Sequence, residues 1–396
     1  MDRISSILKS AYENFVTSDI KNTEEVPSVE EWKAFLEKLG HDDDPIRESY
    51  RKYRCRILSF KPFKRFVLNT FAAGYLLLFR CRKVPSAGEK KDNGLSVGLR
   101  IEGFIDSGSF FPGELEKQYD KLIKVQEDEL TSRILTCDAL DAYRKARKSF
   151  FLHPYYLLLI KKDLIRYSNC MEKYSPDAII LYDAERDTSS PIITDLLEKQ
   201  GKKYISFMHG EYLLQIIQAH MSFSDYYVWD QKFYVPMFKD ILRCNIRHYL
   251  EYTPEKLKKK YHLENTVPDH LFTYYLSGES TKTLKNLRGV FDTLEKKGQI
   301  CKVRPHPRYS HWDIIEELFS PEEIESPQAE KMEDSFRKAK YIVGLSTTVL
   351  IEAYNEGKEI VIDDLTDPEQ FSNLSRRFCR TLSMEHKLLS DIIDTV

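Results

Sequence analysis

The 396-residue sequence lacks the patterns by which cysteine usually stabilises a fold or binds metal. Its seven cysteines are scattered and odd in number, without a Cys-x-x-Cys pair, so the sequence predicts neither a disulfide framework nor a zinc site. The amino terminus, residues 1–4, lacks the charged-then-apolar order of a secretory signal. These absences predict reduced thiols and a cytoplasmic protein.

Glycine-rich phosphate-binding motifs are also missing. The sequence contains no Walker A motif and no Gly-x-Gly-x-x-Gly motif, and it has no internal repeat or low-complexity tract. A net charge of −2 gives no overall attraction to nucleic acid, and 42% hydrophobic with 31% charged residues is typical of a globular protein. The length favours two or more domains.

One segment, from Ile46 to Lys83, departs from this neutral background because it is rich in Lys and Arg and contains a single acid, Glu48. Within it, Phe66 to Phe79 is almost wholly apolar, yet shorter than the ~20 residues that span a bilayer. One interpretation is a buried helix with solvated flanks. The other is a basic, aromatic surface that rests on anionic lipid at the inner leaflet. No nucleic-acid recognition motif accompanies the charge.

The rest of the chain alternates between strand and helix patterns. Residues 1–94 read as a helical extension, in which Ser28 and Glu31 form a capping-box pattern, and residues 85–94 form a polar break. Strict β/α alternation then predicts parallel sheets covered on both faces. We predict an α/β fold with a helical N-terminal extension (1–94), an N-terminal Rossmann-like domain (95–250) and a C-terminal Rossmann-like domain (251–396), the two domains facing a cleft.

Three further assignments complete this pattern. Glu114 to Tyr174 reads as mainly helical, with an interruption at Pro154. A charged span near Pro254 to Tyr261 also reads as helical. Glu359 to Ile362 is the last strand that the pattern predicts.

In the second half, residues 304–308 (Arg-Pro-His-Pro-Arg) follow one apolar strand and residues 346–348 (Ser-Thr-Thr) follow another. Because the carboxyl ends of parallel strands face the ligand crevice, we expect both turns to share one site. His306 beside two arginines suits a phosphate, and hydroxyl groups at a helix start form an anion cradle. The alternatives are an ordinary surface loop and an ordinary helix cap. The residues predicted to bind a nucleotide are Ser277, Gly278, Glu279, Ser280, Arg304, Pro307, Arg308, Ser346, Thr347, Thr348 and Glu352.

In the first half, His209, Gly210 and Glu211 follow an apolar strand, so a general base is expected there. Alternatively, His209 only satisfies a backbone carbonyl and Gly210 only makes the turn. Asp183 ends the neighbouring strand in a similar way. The predicted catalytic residues are His306, His209, Glu211 and Asp183, and the predicted acceptor-binding residues are Glu102, Asp106, Ser107 and Arg186.

Three motifs together carry a family resemblance. They are the His-Gly turn at 209–210, the Arg-x-His-Pro strand end at 304–307, and a Ser/Thr-rich turn that leads to Glu-Ala at 352–353 before Gly-Lys at 357–358. In these motifs the sequence resembles bacterial GT-B glycosyltransferases of surface carbohydrate synthesis. The resemblance covers about residues 95–365. The patterns are most similar to sialyltransferases and Kdo transferases, which use CMP-activated sugars, and to the CDP-glycerol polymerases of teichoic acids and capsules.

The resemblance implies a GT-B-like fold and an inverting, metal-independent transferase without a cofactor. It would move a CMP-linked sialic acid or related ulosonic acid to a saccharide hydroxyl, with the acceptor in the N-terminal domain and the nucleotide in the C-terminal domain. His306 and residues 346–347 would hold or protonate the nucleotide phosphate. The acceptor would be a glycan or lipid-linked glycan. Two alternatives stay open: a CDP-glycerol or polyol phosphotransferase, and a non-catalytic nucleotide-sugar-binding subunit.

Overall fold

The chain forms two α/β units, each built on its own parallel sheet. In the computed structural model described here, the described residues are 28–58, 60–85, 95–102, 110–182, 187–263 and 267–396. The first unit contains Met1–His209 and Leu214–Tyr252, and the second contains Gly210–Leu213 and Thr253–Val396. The predicted α/β class with parallel sheets is confirmed. The finer division of the first unit at residue 94 stays a prediction.

From residue 28 onward, the described part of the first unit starts with helices that the sequence predicts. They are α1 (Val29–Leu39), α2 (Pro45–Arg56) and α3 (Pro62–Leu78). The capping box of α1 is confirmed, because the Glu31 amide donates to Ser28 Oγ over 3.2 Å and the Ser28 amide donates to Glu31 Oε2 over 2.7 Å. Proline at the first position of α2 and α3 occupies a place where no backbone hydrogen bond is lost.

A six-stranded parallel sheet, in the order β3-β2-β5-β6-β7-β8, forms the centre of the first unit. The strands are β2 (Val97–Glu102), β3 (Lys121–Gln126), β5 (Ala178–Leu181), β6 (Lys203–Phe207), β7 (Ser222–Val228) and β8 (Asn245–Glu251), and a separate pair joins β1 (Arg82–Val84) to β4 (Ile134–Thr136). The helices are α4 (Gly113–Gln118), α5 (Cys137–Ser149), α6 (Pro154–Tyr174), α7 (Ser190–Glu198) and α8 (Gln231–Pro236). Strands β5 and β7 are buried along their whole length, as expected when helices cover both faces.

The second unit has a five-stranded parallel sheet in the order β10-β9-β11-β12-β13. Its strands are β9 (His270–Tyr275), β10 (Cys301–Arg304), β11 (Ala339–Gly344), β12 (Glu359–Ile362) and β13 (Lys387–Leu388). Its helices are α9 (Thr281–Glu295), α10 (Trp312–Leu318), α11 (Met332–Lys338), α12 (Thr348–Asn355), α13 (Pro368–Ser375), α14 (Arg380–Ser383) and α15 (Leu389–Thr395). Alternate residues of the central strands enter two different cores, since Tyr274 and Val343 belong to one and Tyr275 and Ile342 to the other.

Four sequence-based assignments need correction. Strands β3 and β4 lie in the span predicted to be mainly helical, strands β7 and β8 were not predicted, and β13 follows the strand predicted to be last. The span near Pro254–Tyr261 contains only a short 3₁₀ turn, Glu255–Leu257. There the amides of Lys260 and Tyr261 donate to the Glu356 carboxylate over 2.8 and 3.1 Å, and these contacts replace helical hydrogen bonds.

Candidate functional site

In the second unit, strands β10, β9 and β11 are neighbours in the sheet, and each ends in one of the predicted turns. The amide of Leu276 donates to the carbonyl of Arg304 over 3.0 Å, which joins the starts of the first two turns. A Cβ atom added to Gly278 would lie 3.3 Å from the Cβ of Tyr309, and the φ of +108° at this position favours glycine. The tertiary structure therefore brings residues 304–310, 276–280 and 345–348 to one edge of the sheet.

His306 is half-buried at this edge, and its tautomer follows from a backbone contact. The Arg308 amide donates to His306 Nδ1 over 3.1 Å, so the neutral imidazole carries its hydrogen on Nε2. The His306 amide donates to Ser310 Oγ over 2.7 Å, and the ring stacks on Tyr309 with 4.6 Å between the centroids. These contacts orient Nε2–H as a hydrogen-bond donor.

The charges near His306 are positive. Burial lowers the pKa of His306, and the nearby cations Lys256 and Arg308 lower it further. A neutral imidazole beside two cations suits a ligand that brings negative charge, because such a ligand relieves the repulsion. Sequence reasoning missed Lys256, which lies far from the motif in the chain, and it missed Tyr309, an exposed aromatic residue immediately after the motif.

The two arginines of the motif differ in environment. Arg304 is buried, forms an ion pair with Glu325 and donates from Nη2 to the carbonyl of Glu330 over 2.7 Å. These contacts hold its guanidinium inside the unit and favour a structural role for Arg304 over the predicted role in phosphate binding. Arg308 and Pro307 are exposed in the same turn.

The turn after β9 contains a backbone anion cradle that a side chain of the same turn occupies. The amides of Ser277 and Gly278 donate to the Glu279 carboxylate over 2.8–3.0 Å, and Ser277 Oγ donates to Glu279 Oε1 over 3.0 Å. Burial raises the pKa of Glu279, although these hydrogen bonds oppose the shift. Ser280 caps α9 by accepting from the Thr283 amide over 3.2 Å. A phosphate would have to displace the Glu279 carboxylate to use these amides.

The turn after β11 leads directly into α12. Thr347 is the N-cap residue, and its hydroxyl accepts from the Val349 amide over 3.4 Å. Thr347 is therefore an ordinary helix cap, as one of the two sequence-based interpretations predicts. Ser346 and Thr348 are partly exposed at the same helix start. Gly344 allows the turn to pack closely, because an added Cβ would lie 3.0 Å from Thr347 Cγ2 and 3.3 Å from the Tyr275 carbonyl oxygen.

Glu352 is buried one turn into α12. Its Oε1 accepts from the Tyr261 hydroxyl over 3.2 Å and lies 3.0 Å from Lys260 Nζ. Burial of Lys260 disfavours its charged form, but the hydrogen bond to Glu352 and the negative charge of Glu352 outweigh this effect and raise the pKa of Lys260. Within the described part of the chain, Glu352 Oε2 is buried without a hydrogen-bond partner. A donor such as a ligand hydroxyl would satisfy this oxygen.

In the first unit, His209 follows β6, beside the end of β5 in the sheet. His209 Nδ1 lies 3.0 Å from the carbonyl of Tyr182, and because a carbonyl only accepts, Nδ1 carries the hydrogen. The same contact leaves Nε2 as the basic nitrogen of the neutral ring. The contact matches the structural interpretation of His209 and also sets the tautomer that a general base needs.

Glu211 belongs to the second unit, whereas His209 belongs to the first. Its carboxylate accepts from the Thr381 amide over 2.8 Å, from the Thr381 hydroxyl over 2.5 Å and from Cys379 Sγ over 3.3 Å. These contacts cap α14 and occupy both carboxylate oxygens. The geometry favours a structural role for Glu211 over the predicted role as base.

The remaining predicted residues of the first half lie mostly outside the described residues. Asp183, Arg186, Asp106 and Ser107 are in that group. Glu102 is described, at the end of β2, where Gln126 Nε2 donates to it over 3.1 Å and Arg100 Nη2 lies 3.5 Å away.

A surface cavity in the second unit lies beside the amino end of β10, at the opposite edge from the three turns. Its lining residues include Arg288, Phe291, Asp292, Glu295, Glu322 and Glu323. Four of these residues are acidic, and the one cation, Arg288, donates to the Glu323 carboxylate over 2.7 and 2.8 Å, so the cavity suits an anion poorly. Among the residues that the structure describes, no group of three or more His, Cys, Asp or Glu side chains could hold a metal ion.

No protein-family model matches this sequence, and no curated protein matches it. Among solved structures, the chain is similar to the glycosyltransferase of kitacinnamycin (TM-score 0.41, 11% identity, covering 76% of this chain and 87% of the other). It is also similar to UDP-N-acetylglucosamine 2-epimerase from Rickettsia bellii (TM-score 0.40, 14% identity, covering 67% of this chain and 78% of the other). A third similar structure is that of the wall teichoic acid polymerase TagF (TM-score 0.40, 10% identity, covering 90% of this chain and 88% of the other).

Proposed function

We propose that the chain is a glycosyltransferase that moves a sugar from a nucleotide-linked donor to a saccharide hydroxyl. The observation that carries the proposal is His306, whose Nε2–H is set by the Arg308 amide and lies among cations at the edge shared with residues 346–348. A fixed donor in positive surroundings stabilises the charge that develops on a departing phosphate. In this proposal the second unit binds the nucleotide and the first unit binds the acceptor.

In the second unit, each residue of the candidate nucleotide site has its own task. His306 Nε2–H donates to a phosphate oxygen, and Arg308 and Lys256 add positive charge. The amides and hydroxyls at residues 346–348 bind the same phosphate at the start of α12. Glu352 accepts from a ribose hydroxyl through Oε2, the oxygen that has no partner within the described residues.

The donor we propose is a CMP-linked sialic acid or related ulosonic acid, transferred with inversion and without metal. The acceptor hydroxyl would lose its proton to His209 as its oxygen bonds to the anomeric carbon. The bond from that carbon to the phosphate oxygen would break, and CMP would leave. The tautomer of His209 supports this role, because the ring donates from Nδ1 and keeps Nε2 basic.

A CDP-glycerol or polyol phosphotransferase is the second candidate. The observation that favours it is the His209-Gly210 turn itself, which follows a buried strand and holds an oriented imidazole. In that reaction the base would serve an acceptor hydroxyl that attacks phosphorus, and CMP would again leave. Both candidates place a cytidine nucleotide in the second unit, and they differ in the atom that is attacked.

Calorimetric titration with CMP, CDP, UDP and GDP, with and without magnesium, tests the proposal. We expect cytidine nucleotides to bind best, and we expect His306→Gln to weaken that binding about tenfold, the scale of one charge-assisted hydrogen bond. Turnover should fall by about 100-fold in the same variant. His311→Gln is the matched control, because His311 is exposed near the motif but outside the proposed contacts.

Each outcome has a clear meaning. A preference for CMP that disappears in His306→Gln supports transfer of a CMP-linked sugar, and a preference for CDP supports the polyol candidate. Binding that is equal in His306→Gln and His311→Gln removes His306 from the site. Binding without turnover of any donor would make the chain a nucleotide-sugar-binding subunit, and no binding would overturn the assignment.

We also propose that the protein acts in the cytoplasm, at the inner face of the cytoplasmic membrane, where lipid-linked glycan acceptors are found. This location extends the prediction made from the basic segment 46–83. Capsule, O-antigen and lipooligosaccharide synthesis are the processes that such an activity would serve.

A further inference from the structure

Helix α3 has several large apolar side chains that are exposed and few that are buried. Its buried side chains are Lys64, Leu68 and Ala72. Its outward face consists of Phe63, Phe66, Leu77 and Leu78, while Phe71 (42% exposed) and Tyr75 (39% exposed) lie at the margin beside the buried side chains. The side chains of Phe63, Phe66, Leu77 and Leu78 are 74%, 69%, 81% and 84% exposed. Large apolar side chains this exposed at both ends of one side of a helix mark a surface that contacts a partner or a membrane.

The helix is held firmly from its other side, so the outward face is a feature of the folded unit. Asn69 Oδ1 accepts from the Tyr155 amide at the start of α6 over 3.2 Å. Lys161 Nζ, from the same helix, donates to the carbonyl of Phe79 over 2.5 Å. Lys64 lies over the Phe60 ring, 4.6 Å from its centroid. These contacts fix which side of α3 faces outward.

Basic residues lie at both ends of the outward face. From residue 49 to residue 85 the sequence contains no Asp or Glu. The exposed cations of this stretch are Arg54, Lys61, Arg80, Arg82 and Lys83. Lys61 comes just before α3 and the last three follow it within a few residues, so an apolar face is bounded by positive charge. This pattern matches a surface with an apolar interior and anionic head groups.

The geometry favours a helix lying in the membrane plane. At 17 residues and a rise of 1.5 Å per residue, α3 is about 25 Å long. In the part of the chain that the structure describes, no helix has the length and hydropathy needed to cross a bilayer. A second copy of the chain is a less suitable occupant, because pairing two outward faces would bring two sets of cations together without acids from the same stretch.

We propose that the outward face of α3 docks on a bilayer that contains anionic phospholipid, with Lys61, Arg80, Arg82 and Lys83 near the phosphate groups. The aromatic and leucine side chains enter the boundary between head groups and acyl chains. This docking surface would explain how the protein is held at the membrane location of the proposed function, and it rests on that proposed function. It would place the first unit where a lipid-linked acceptor is present.

Sedimentation of the full-length protein with vesicles tests the docking. One vesicle set contains phosphatidylcholine with phosphatidylglycerol, and the other contains phosphatidylcholine alone. We expect binding to the anionic vesicles, weakened by high salt because head-group attraction is screened. The double variant Phe66→Asp, Leu77→Asp should lose at least about tenfold in binding, since two apolar anchors become anions. Ile300→Asp is the matched control, because Ile300 is 59% exposed in the second unit.

Further measurements keep the docking separate from the nucleotide site. The double variant should bind cytidine nucleotides like the unsubstituted protein, and its thermal unfolding should be unchanged. Arg82→Glu with Lys83→Glu should weaken binding to anionic vesicles only. Absence of vesicle binding by the unsubstituted protein, or equal binding by the double variant, would overturn the proposal. Concentration-dependent dimers that Phe66→Asp abolishes, without vesicle binding, would identify a second copy as the occupant and would also overturn it.

Discussion

At the residue scale, two histidines show how one backbone contact sets the chemistry of a side chain. His306 accepts an amide hydrogen at Nδ1, so its Nε2 is a donor. His209 donates from Nδ1 to a carbonyl, so its Nε2 is a base. The proposed function uses this difference, with His306 donating to a phosphate oxygen and His209 accepting a hydroxyl proton.

The lowered pKa of His306 predicts that nucleotide binding depends on pH. Above its lowered pKa the free imidazole is neutral, and a bound phosphate raises the pKa because opposite charge favours the protonated form. Binding then takes up a proton, so affinity rises as pH falls, by at most about tenfold per pH unit, and levels off once the free imidazole is protonated. Calorimetry in buffers of different ionisation enthalpy measures this uptake.

A control is needed because the phosphate of the ligand titrates in the same range. His306→Gln keeps the phosphate titration and removes that of the imidazole, so the difference between the two pH profiles belongs to His306. Identical profiles for both proteins would contradict the contact between His306 and the phosphate.

At the element scale, the turn between β11 and α12 depends on one glycine. In Gly344→Ala, the new methyl group would lie 3.0 Å from Thr347 Cγ2 and 3.3 Å from the Tyr275 carbonyl oxygen. We expect the free energy of unfolding to fall by about 1–3 kcal/mol, the usual cost of overpacking, and nucleotide affinity to fall because residues 346–348 move. Urea unfolding and nucleotide titration measure the two effects.

Thr347→Ser provides the matched partner for this variant. Serine keeps the capping hydroxyl but lacks the Cγ2 methyl group, so it removes the closer of the two contacts. The double variant should regain more than half of the stability that Gly344→Ala loses, and a double-mutant cycle reports the coupling. Strictly additive effects would show that Thr347 does not oppose the new methyl group.

At the scale of the whole molecule, the seven cysteines of the sequence are all free in the structure. Five are buried, and Cys81 and Cys137 are partly exposed. Burial raises the pKa of the buried thiols, for example that of Cys244 to about 12, so they stay protonated and unreactive in the folded protein.

Thiol titration with a disulfide reagent therefore gives a readout of folding. We expect only Cys81 and Cys137 to react in the native protein, and all seven thiols to react in denaturant without prior reduction. A count below seven in denaturant that rises after reduction would reveal a disulfide. Rapid reaction of a third thiol in the native protein would show that one of the five buried positions opens.

The sequence by itself determined where most strands end and which turns follow them. Strands β9, β11 and β12 are short, mainly apolar runs bounded by turn residues, and a strand that is buried on both faces must be such a run, so the signal is local. Their parallel arrangement then follows from the alternation with helices. For this reason the gathering of residues 304–308 and 346–348 at one sheet edge could be predicted.

Only the tertiary structure decided which way the charged side chains point. Arg304 is directed to Glu325, Glu211 to Thr381, and Glu279 to the amides of its own turn. The first two of these contacts join residues that are distant in sequence, and all three depend on local burial, so no motif reveals them. The same is true of the outward face of α3 and of the edge strand β3, whose exposure depends on neighbours that the rest of the chain supplies.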